Sequence, residues 1–160
     1  MKYYIIAGEA SGDLHGSNLM KGIYAEDPHA DIRFWGGDLM KSVGGELVRH
    51  YKEGAIIGFV EVFVKARMLL GNVSFCKKDI KEWNPDVVIL IDYPGFNFKI
   101  AEFAHKAGFK VFYYIAPKVW ASREGRIKKL KAYVDKLFIV FPFEIPYFTR
   151  KGIPFVYKGN

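Results

Sequence analysis

The stretch Val87-Val88-Ile89-Leu90-Ile91-Asp92-Tyr93-Pro94-Gly95-Phe96-Asn97 decides how the chain is read. Its aliphatic residues run from Val87 to Ile91 without a polar break, the pattern of a strand buried on both faces. Asp92 stands at the C-terminal end of that strand. Tyr93, Pro94, Gly95 and Phe96 stop it, and Asn97 is placed to cap a helix whose apolar positions are Phe98, Ile100, Ala101, Phe103 and Ala104. A carboxylate is thereby set on a strand-to-helix crest, and in open parallel sheets ligands bind outside the carboxyl ends of the strands. Among apolar neighbours a carboxylate there suits a general base. It also suits the plain start of a turn, and position alone does not choose between the two.

The same alternation extends in both directions along the chain. Before the crest, Lys2 to Ala7 reads as a strand, Gly8 to Asp13 as a small-residue turn and Leu14 to Ala25 as a helix. Asp31 to Trp35 follows as a second strand, Asp38 to Val43 as a short helix and Glu46 to Tyr51 as an edge strand. A long helical region from about Gly58 to Trp83, broken near Gly71-Asn72, leads into the central strand. After it, Gly108 closes the Asn97 helix. Lys110 to Ile115 is a strand, Ala116 to Trp120 its crest, Arg123 to Val134 a basic helix and Lys136 to Phe141 another strand. A short helix then ends at Gly152, and Phe155 to Tyr157 is a last strand-like piece. Strands alternating with helices predict an α/β fold: a three-layer Rossmann-like domain with a mainly parallel sheet and right-handed crossovers. The length of 160 residues fits one domain, residues 1–160.

Composition narrows the setting. Hydrophobic residues make up 51% and aromatics 17%, enough for a core. Cys76 is the single cysteine, so no internal disulfide forms. The N-terminal Met1 to Ala7 is too short for a signal peptide, and no run reaches the roughly 18 apolar residues of a spanning helix. These features predict a chain that is cytoplasmic or peripheral to a membrane. The formal charge of +7 permits nucleic acid, anionic lipid or phosphorylated small molecules as partners. His15, His29, His50 and His105 lack metal-ligand spacing.

Three further stretches carry candidate chemistry, each beside a plainer reading. In Gly8-Glu9-Ala10-Ser11-Gly12-Asp13, small residues let backbone N–H groups approach a ligand at a helix start. Glu9 and Asp13 there would accept from sugar hydroxyls; the plainer reading is a tight turn with Ser11 or Asp13 as N-cap. In the helix after Gly58, the residues Phe59, Val62, Phe63, Ala66, Leu69 and Leu70 form one stripe, widened by Val60, Val64 and Met68 and accompanied by Lys65 and Arg67. Such a surface suits a membrane interface or acyl chains, or else a core on one side and a partner on the other. Around Lys118, Trp120, Arg123 and Arg126, basic groups beside an aromatic suit a phosphate or a sugar face, nucleic acid, or a solvated helix.

Taken together and in order, seven stretches resemble the N-terminal half of bacterial lipid-A-disaccharide synthases. They are Gly8 to Asp13, Gly36-Gly37, Ile57 to Val62, Asn84-Pro85-Asp86, Ile91 to Asn97, Tyr114 to Ala121 and Phe141 to Glu144. The resemblance implies the N-terminal half of a GT-B fold. It implies an inverting, metal-independent transfer, without cofactor, of 2,3-diacylglucosamine from UDP-2,3-diacylglucosamine to the 6-hydroxyl of 2,3-diacylglucosamine 1-phosphate. It further implies that the work is done at the cytoplasmic face of the inner membrane, and no nucleic acid partner is expected. Asp92 matches the family's proposed base. The substrate-binding candidates are Gly8, Glu9, Ser11, Gly12, Asp13, Asn97, Lys118, Trp120 and Arg123; the membrane or acyl-chain set is Phe59, Val62, Phe63, Leu69 and Leu70. Ala10, Gly95 and Lys118 depart from the family's frequent Thr, Asp and Ser. The family's C-terminal, donor-binding domain is a further expected partner, missing from this chain. The ending at Lys158-Gly159-Asn160 reads as a cut at a linker, so the chain alone is expected not to turn over. Another GT-B enzyme such as a nucleotide-sugar epimerase, or a non-catalytic basic binding module, stands as the alternative.

Overall fold

A computed structural model describes residues 1–54, 62–116 and 125–159. Its strands are β1 (Lys2–Ala7), β2 (Asp31–Gly36), β3 (Glu46–His50), β4 (Val87–Ile91), β5 (Lys110–Tyr114), β6 (Lys136–Ile139) and β7 (Val156–Tyr157). The helices are α1 (Ala10–Glu26), α2 (Asp38–Val43), α3 (Val62–Trp83), α4 (Pro94–Lys106), α5 (Gly125–Tyr133) and α6 (Glu144–Arg150), with a 3-10 turn at Tyr51–Gly54. Among the described residues the strands form one sheet in the order β3-β2-β1-β4-β5-β6-β7, parallel at every pairing. The Rossmann-like α/β expectation holds, with β3 at one edge and β7 at the other.

The unbroken apolar run of β4 is explained by its place. Val88 and Leu90 pack into the core under α3, α4 and α5. Val87, Ile89 and Ile91 pack into the opposite core under α1 and α2. A strand covered on both faces has no polar side to show.

Three differences from the sequence reading bear on the site. α1 begins at Ala10, so only Gly8 and Glu9 connect it to β1, and Ser11, Gly12 and Asp13 lie in its first turn. α4 begins at Pro94, because proline lacks the N–H that a first turn leaves unsatisfied anyway. Asn97 is therefore inside the helix and fully buried rather than its cap. α3 runs through Gly71-Asn72 without a break. Val73, Cys76 and Ile80 are buried and anchor its second half, which compensates for the glycine.

A polar network ties the three edge-side strands to α3. The Trp35 indole donates to Tyr4 Oη at 2.8 Å, and Tyr4 Oη donates to Asp79 at 2.7 Å. Arg33 grips the same carboxylate through Nε and Nη2 at 2.8 and 2.7 Å and reaches Glu46 with Nη1 at 2.7 Å. Burial alone would raise the Asp79 carboxyl, but the hydrogen bonds from Arg33 and Tyr4 bring it below its ordinary value. Because the folded value is the lower one, this stabilisation is complete above the unfolded carboxylate value of about 4 and is lost as pH falls through the folded value. Asp79→Asn is expected to lower stability near neutral pH and to flatten its loss below about pH 4. Urea unfolding across pH checks this, and an unchanged acid-side slope would remove Asp79 from that role.

Candidate active site

The order of strands reverses between β1 and β4, and open α/β sheets bind ligands in the crevice at such a point. Ala7 pairs with Ile91, so the crest after β1 and the crest after β4 stand side by side. A Cβ on Gly8 would overlap the ring of Tyr93, so only glycine leaves room for that ring. Tyr93 in turn stacks on Phe96, with ring centroids 5.5 Å apart and planes 19° from parallel.

Asp92 and Tyr93 both have left-handed backbones, with φ of 43° and 48°. Residues with a Cβ disfavour that region by about 1–2 kcal/mol each, so the surroundings must hold it. Asn97 Nδ2 donates to the carbonyl of Ile91 at 3.3 Å and to that of Asp92 at 2.9 Å. Tyr113 Oη donates to the Asp92 carbonyl at 2.5 Å, and the Asn97 N–H donates to the Tyr93 carbonyl at 2.9 Å. Burial pushes the Tyr113 hydroxyl far up, and the nearby Asp92 carboxylate pushes it further, against the Arg126 charge and a hydrogen bond with Asn97. Tyr113 therefore stays protonated and remains a donor. The Asn97 Oδ1 atom is buried with no hydrogen-bond partner among the described residues. Asp92 itself is half-buried at the head of this arrangement.

Beside the crest lies a cavity of about 280 Å³. Gly8, Glu9 and Ala10 form one wall, Tyr93 and Phe96 another, with Trp35, Arg49, His50 and Tyr51 from the β2–β3 side and Met68 and Asn72 from α3. It is at the small end of ligand pockets, mostly apolar with a few polar groups. Arg49 Nη1 donates to Asn72 Oδ1 at 3.1 Å, and its guanidinium lies 4.4 Å from the Phe75 ring centroid. The Tyr93 hydroxyl is pushed up by burial and then by the Glu9 charge, so the Glu9 carboxylate sits near it at the cavity wall.

The candidate residues from the sequence divide accordingly. Gly8 and Glu9 line the cavity, and Ser11 is exposed in the first turn of α1. Gly12 serves close packing, since a Cβ there would lie 3.1 Å from the Ala7 Cβ. Asp13 is only 3% exposed and accepts from the N–H groups of Gly37, Leu39 and Met40 at 2.8, 3.1 and 3.0 Å. It caps α2, which corrects its reading as a sugar contact: both oxygens are already engaged, away from solvent. Asn97 likewise holds the crest from beneath. Phe63 and Leu70 are 66% and 57% exposed, while Leu69 packs against the core. Phe59, Lys118, Trp120 and Arg123 lie outside the described residues, as does the side chain of Val62. Sequence reasoning missed Trp35, Arg49, Asn72 and Tyr113. For Tyr113 the run Val111-Phe112-Tyr113-Tyr114 has no polar alternation, and only the structure shows that Val111 and Tyr113 are its buried members. Among the described residues no three His, Cys, Asp or Glu side chains gather as a metal site.

Residues 3–160 match the profile of the family described as lipid-A-disaccharide synthetase. The chain belongs to that family. The lipid-A-disaccharide synthase of Geobacter metallireducens is 45% identical over 156 residues, covering 98% of this chain and 41% of the relative. That of Coxiella burnetii is 38% identical over 156 residues, with 98% and 42% covered. The chain thus spans about two fifths of the length of these curated relatives. In fold it is similar to the UDP-GlcNAc 2-epimerase of Methanocaldococcus jannaschii, with a TM-score of 0.66 at 16% identity, covering all of this chain (100%) and 46% of that one. It is also similar to MurG of Acinetobacter baumannii, with a TM-score of 0.64 at 12% identity and coverage of 100% and 45%. At those identities the likeness is one of fold.

The place of Asp13 has a measurable consequence. Asp13→Ala leaves buried N–H groups at the start of α2 without an acceptor and is expected to cost about 1–3 kcal/mol. Asp13→Asn, which keeps one acceptor oxygen, is expected to cost less. Urea unfolding of both variants checks the order.

Proposed function

We propose that this chain is the N-terminal, acceptor-side domain of a lipid-A-disaccharide synthase with Asp92 as its general base. The observation that carries the reading is a carboxylate held on a braced crest at the sheet's switch point, in a chain that belongs to this family. Asp92 removes the proton from the 6-hydroxyl of 2,3-diacylglucosamine 1-phosphate as that oxygen attacks C1 of the donor sugar. The bond from C1 to the UDP oxygen breaks, UDP leaves with the electron pair, and the configuration at C1 inverts. One base on the acceptor side is then enough, and no step is assigned to a metal or cofactor.

The cavity beside the crest has room for a sugar, and Glu9 on its wall is placed to accept from a sugar hydroxyl. Lys118, Trp120 and Arg123, between β5 and α5 in sequence, remain candidates for the phosphate and the sugar face. The donor half belongs to sequence beyond this chain, in keeping with the share of its relatives that it spans. A nucleotide-sugar epimerase reading rests on fold likeness alone. The basic balance is met by anionic lipid phosphates, without nucleic acid.

The first turns of α3 support a place at the inner-membrane surface. Phe63, Val64, Met68 and Leu70 are exposed there, with Lys65 and Arg67 interleaved. Apolar chains on several sides of one helix, with basic groups beside them, suit burial at a lipid headgroup boundary. Met68 also lines the cavity, so acyl chains leaving a bound sugar would have a continuous apolar path. No helix among the described residues is long and apolar enough to cross a membrane.

In a full-length protein carrying these residues, Asp92→Asn is expected to lower the rate of UDP release by roughly 10²–10⁴-fold with the fold intact. Near-normal turnover would take the base role away from Asp92. Phe63→Ser combined with Leu70→Ser is expected to weaken partition onto anionic liposomes by roughly tenfold or more, from the apolar burial lost. Co-sedimentation measures it, and unchanged partition would return these residues to a protein contact.

A further inference from the structure

We propose that Tyr113 and Asn97 are positioning residues that aim the Asp92 carboxylate at the acceptor hydroxyl, acting through the Asp92 backbone carbonyl. The inference rests on the reading of Asp92 as the base and adds to it the device that sets its direction.

The carbonyl of Asp92 belongs to the peptide joining two residues in the left-handed region. A return of φ at Asp92 toward ordinary values would turn its Cα–C and Cα–Cβ bonds together, so holding the carbonyl also holds the direction of the side chain. Two donors from different elements stop the rotation: Tyr113 Oη from β5 at 2.5 Å and Asn97 Nδ2 from α4 at 2.9 Å. Asn97 also reaches the preceding carbonyl, Ile91 O, at 3.3 Å, so the end of β4 is held at two successive peptides. Neither side chain is used as packing alone would use it. Tyr113 is fully buried with its ring 5.7 Å from that of Phe98, a place phenylalanine would fill without burying a hydroxyl. Asn97 is fully buried with Oδ1 unpartnered among the described residues. Its amide nitrogen gives both of its donor interactions to the crest. A base must lie within hydrogen-bond reach of the proton it takes, and a misplacement of about 1 Å can cost on the order of 10²-fold in rate. A carboxylate on a strained peptide is the group for which such bracing matters most.

The test is a double-mutant cycle in a full-length protein carrying this chain, with steady-state kinetics on both substrates. Tyr113→Phe keeps the ring and removes one donor. It is expected to lower kcat by roughly 10–100-fold, to leave both KM values within about twofold, and to keep the circular dichroism spectrum. In an Asp92→Asn background the same change is expected to lower the residual rate no further, since the group it aims is gone. An unchanged kcat in Tyr113→Phe, or an equal fold loss in both backgrounds, would overturn the inference while leaving Asp92 as the base. Near-wild-type turnover of Asp92→Asn alone would overturn the base assignment and this inference together, so the two failures are told apart. Asn97→Ser, taken through the same cycle with the same expected pattern, keeps the question open to decision if Tyr113→Phe does not fold.

Discussion

The peptide between Asp92 and Tyr93 is the constraint on which the site depends. Two adjacent residues bearing side chains hold a left-handed backbone there, and a chain left to itself relaxes out of it. What prevents this comes from four residues at once, on three parts of the chain. The bare Cα of Gly8, after β1, leaves room for the Tyr93 ring. Phe96 on α4 stacks against that ring. Asn97 on the same helix and Tyr113 on β5 donate to the Asp92 carbonyl. The crest is thus an outcome of packing across the sheet rather than of local turn chemistry, and it presents a carboxylate at the switch point of strand order.

The small residues around the first crest belong to the same construction. Glycines before a helix suggest backbone approach to a phosphate, yet here their lack of a Cβ is used chiefly by the protein itself. Gly12 lets α1 approach Ala7, and a Cβ on Gly16 or Gly36 would crowd the Met40 side chain. Asp13, brought inward by that close packing, caps α2 from a neighbouring helix. The Gly37 side of α2 offers no side chain to do so. Glu9, one step outside the packed turn, is left at the cavity wall.

Helix α3 carries two environments along one axis. Its second half is held by Val73, Cys76 and Ile80 in the core and by Asp79 in the Arg33–Tyr4 network. Its first turns expose Phe63, Val64 and Leu70. Met68 and Asn72, between the two, are the helix's contribution to the cavity. Under the proposed function the sugar would occupy this cavity, with its acyl chains along the exposed turns and the membrane beyond them.

The apolar run from Val87 to Ile91, the alternation of strands with helices, and the Pro and Gly punctuation determined the Rossmann-like class and most element positions by themselves. They did so because burial on two faces and chain reversal leave a local imprint. Seven matching stretches also pointed to the family before any contact was known. Tertiary structure alone decided that the crests of β1 and β4 adjoin, since pairing between strands distant in sequence is set by the crossovers and not by either strand's own pattern. It also decided that Asp13 faces α2 instead of a ligand, that Asn97 braces a crest instead of capping a helix, and that Arg49, Trp35 and Asn72 share a cavity. Side-chain type tells what a residue can bond to. Which partner it meets is a property of the packed sheet, and for Asp92 that packing supplies both its place and the hold on its backbone.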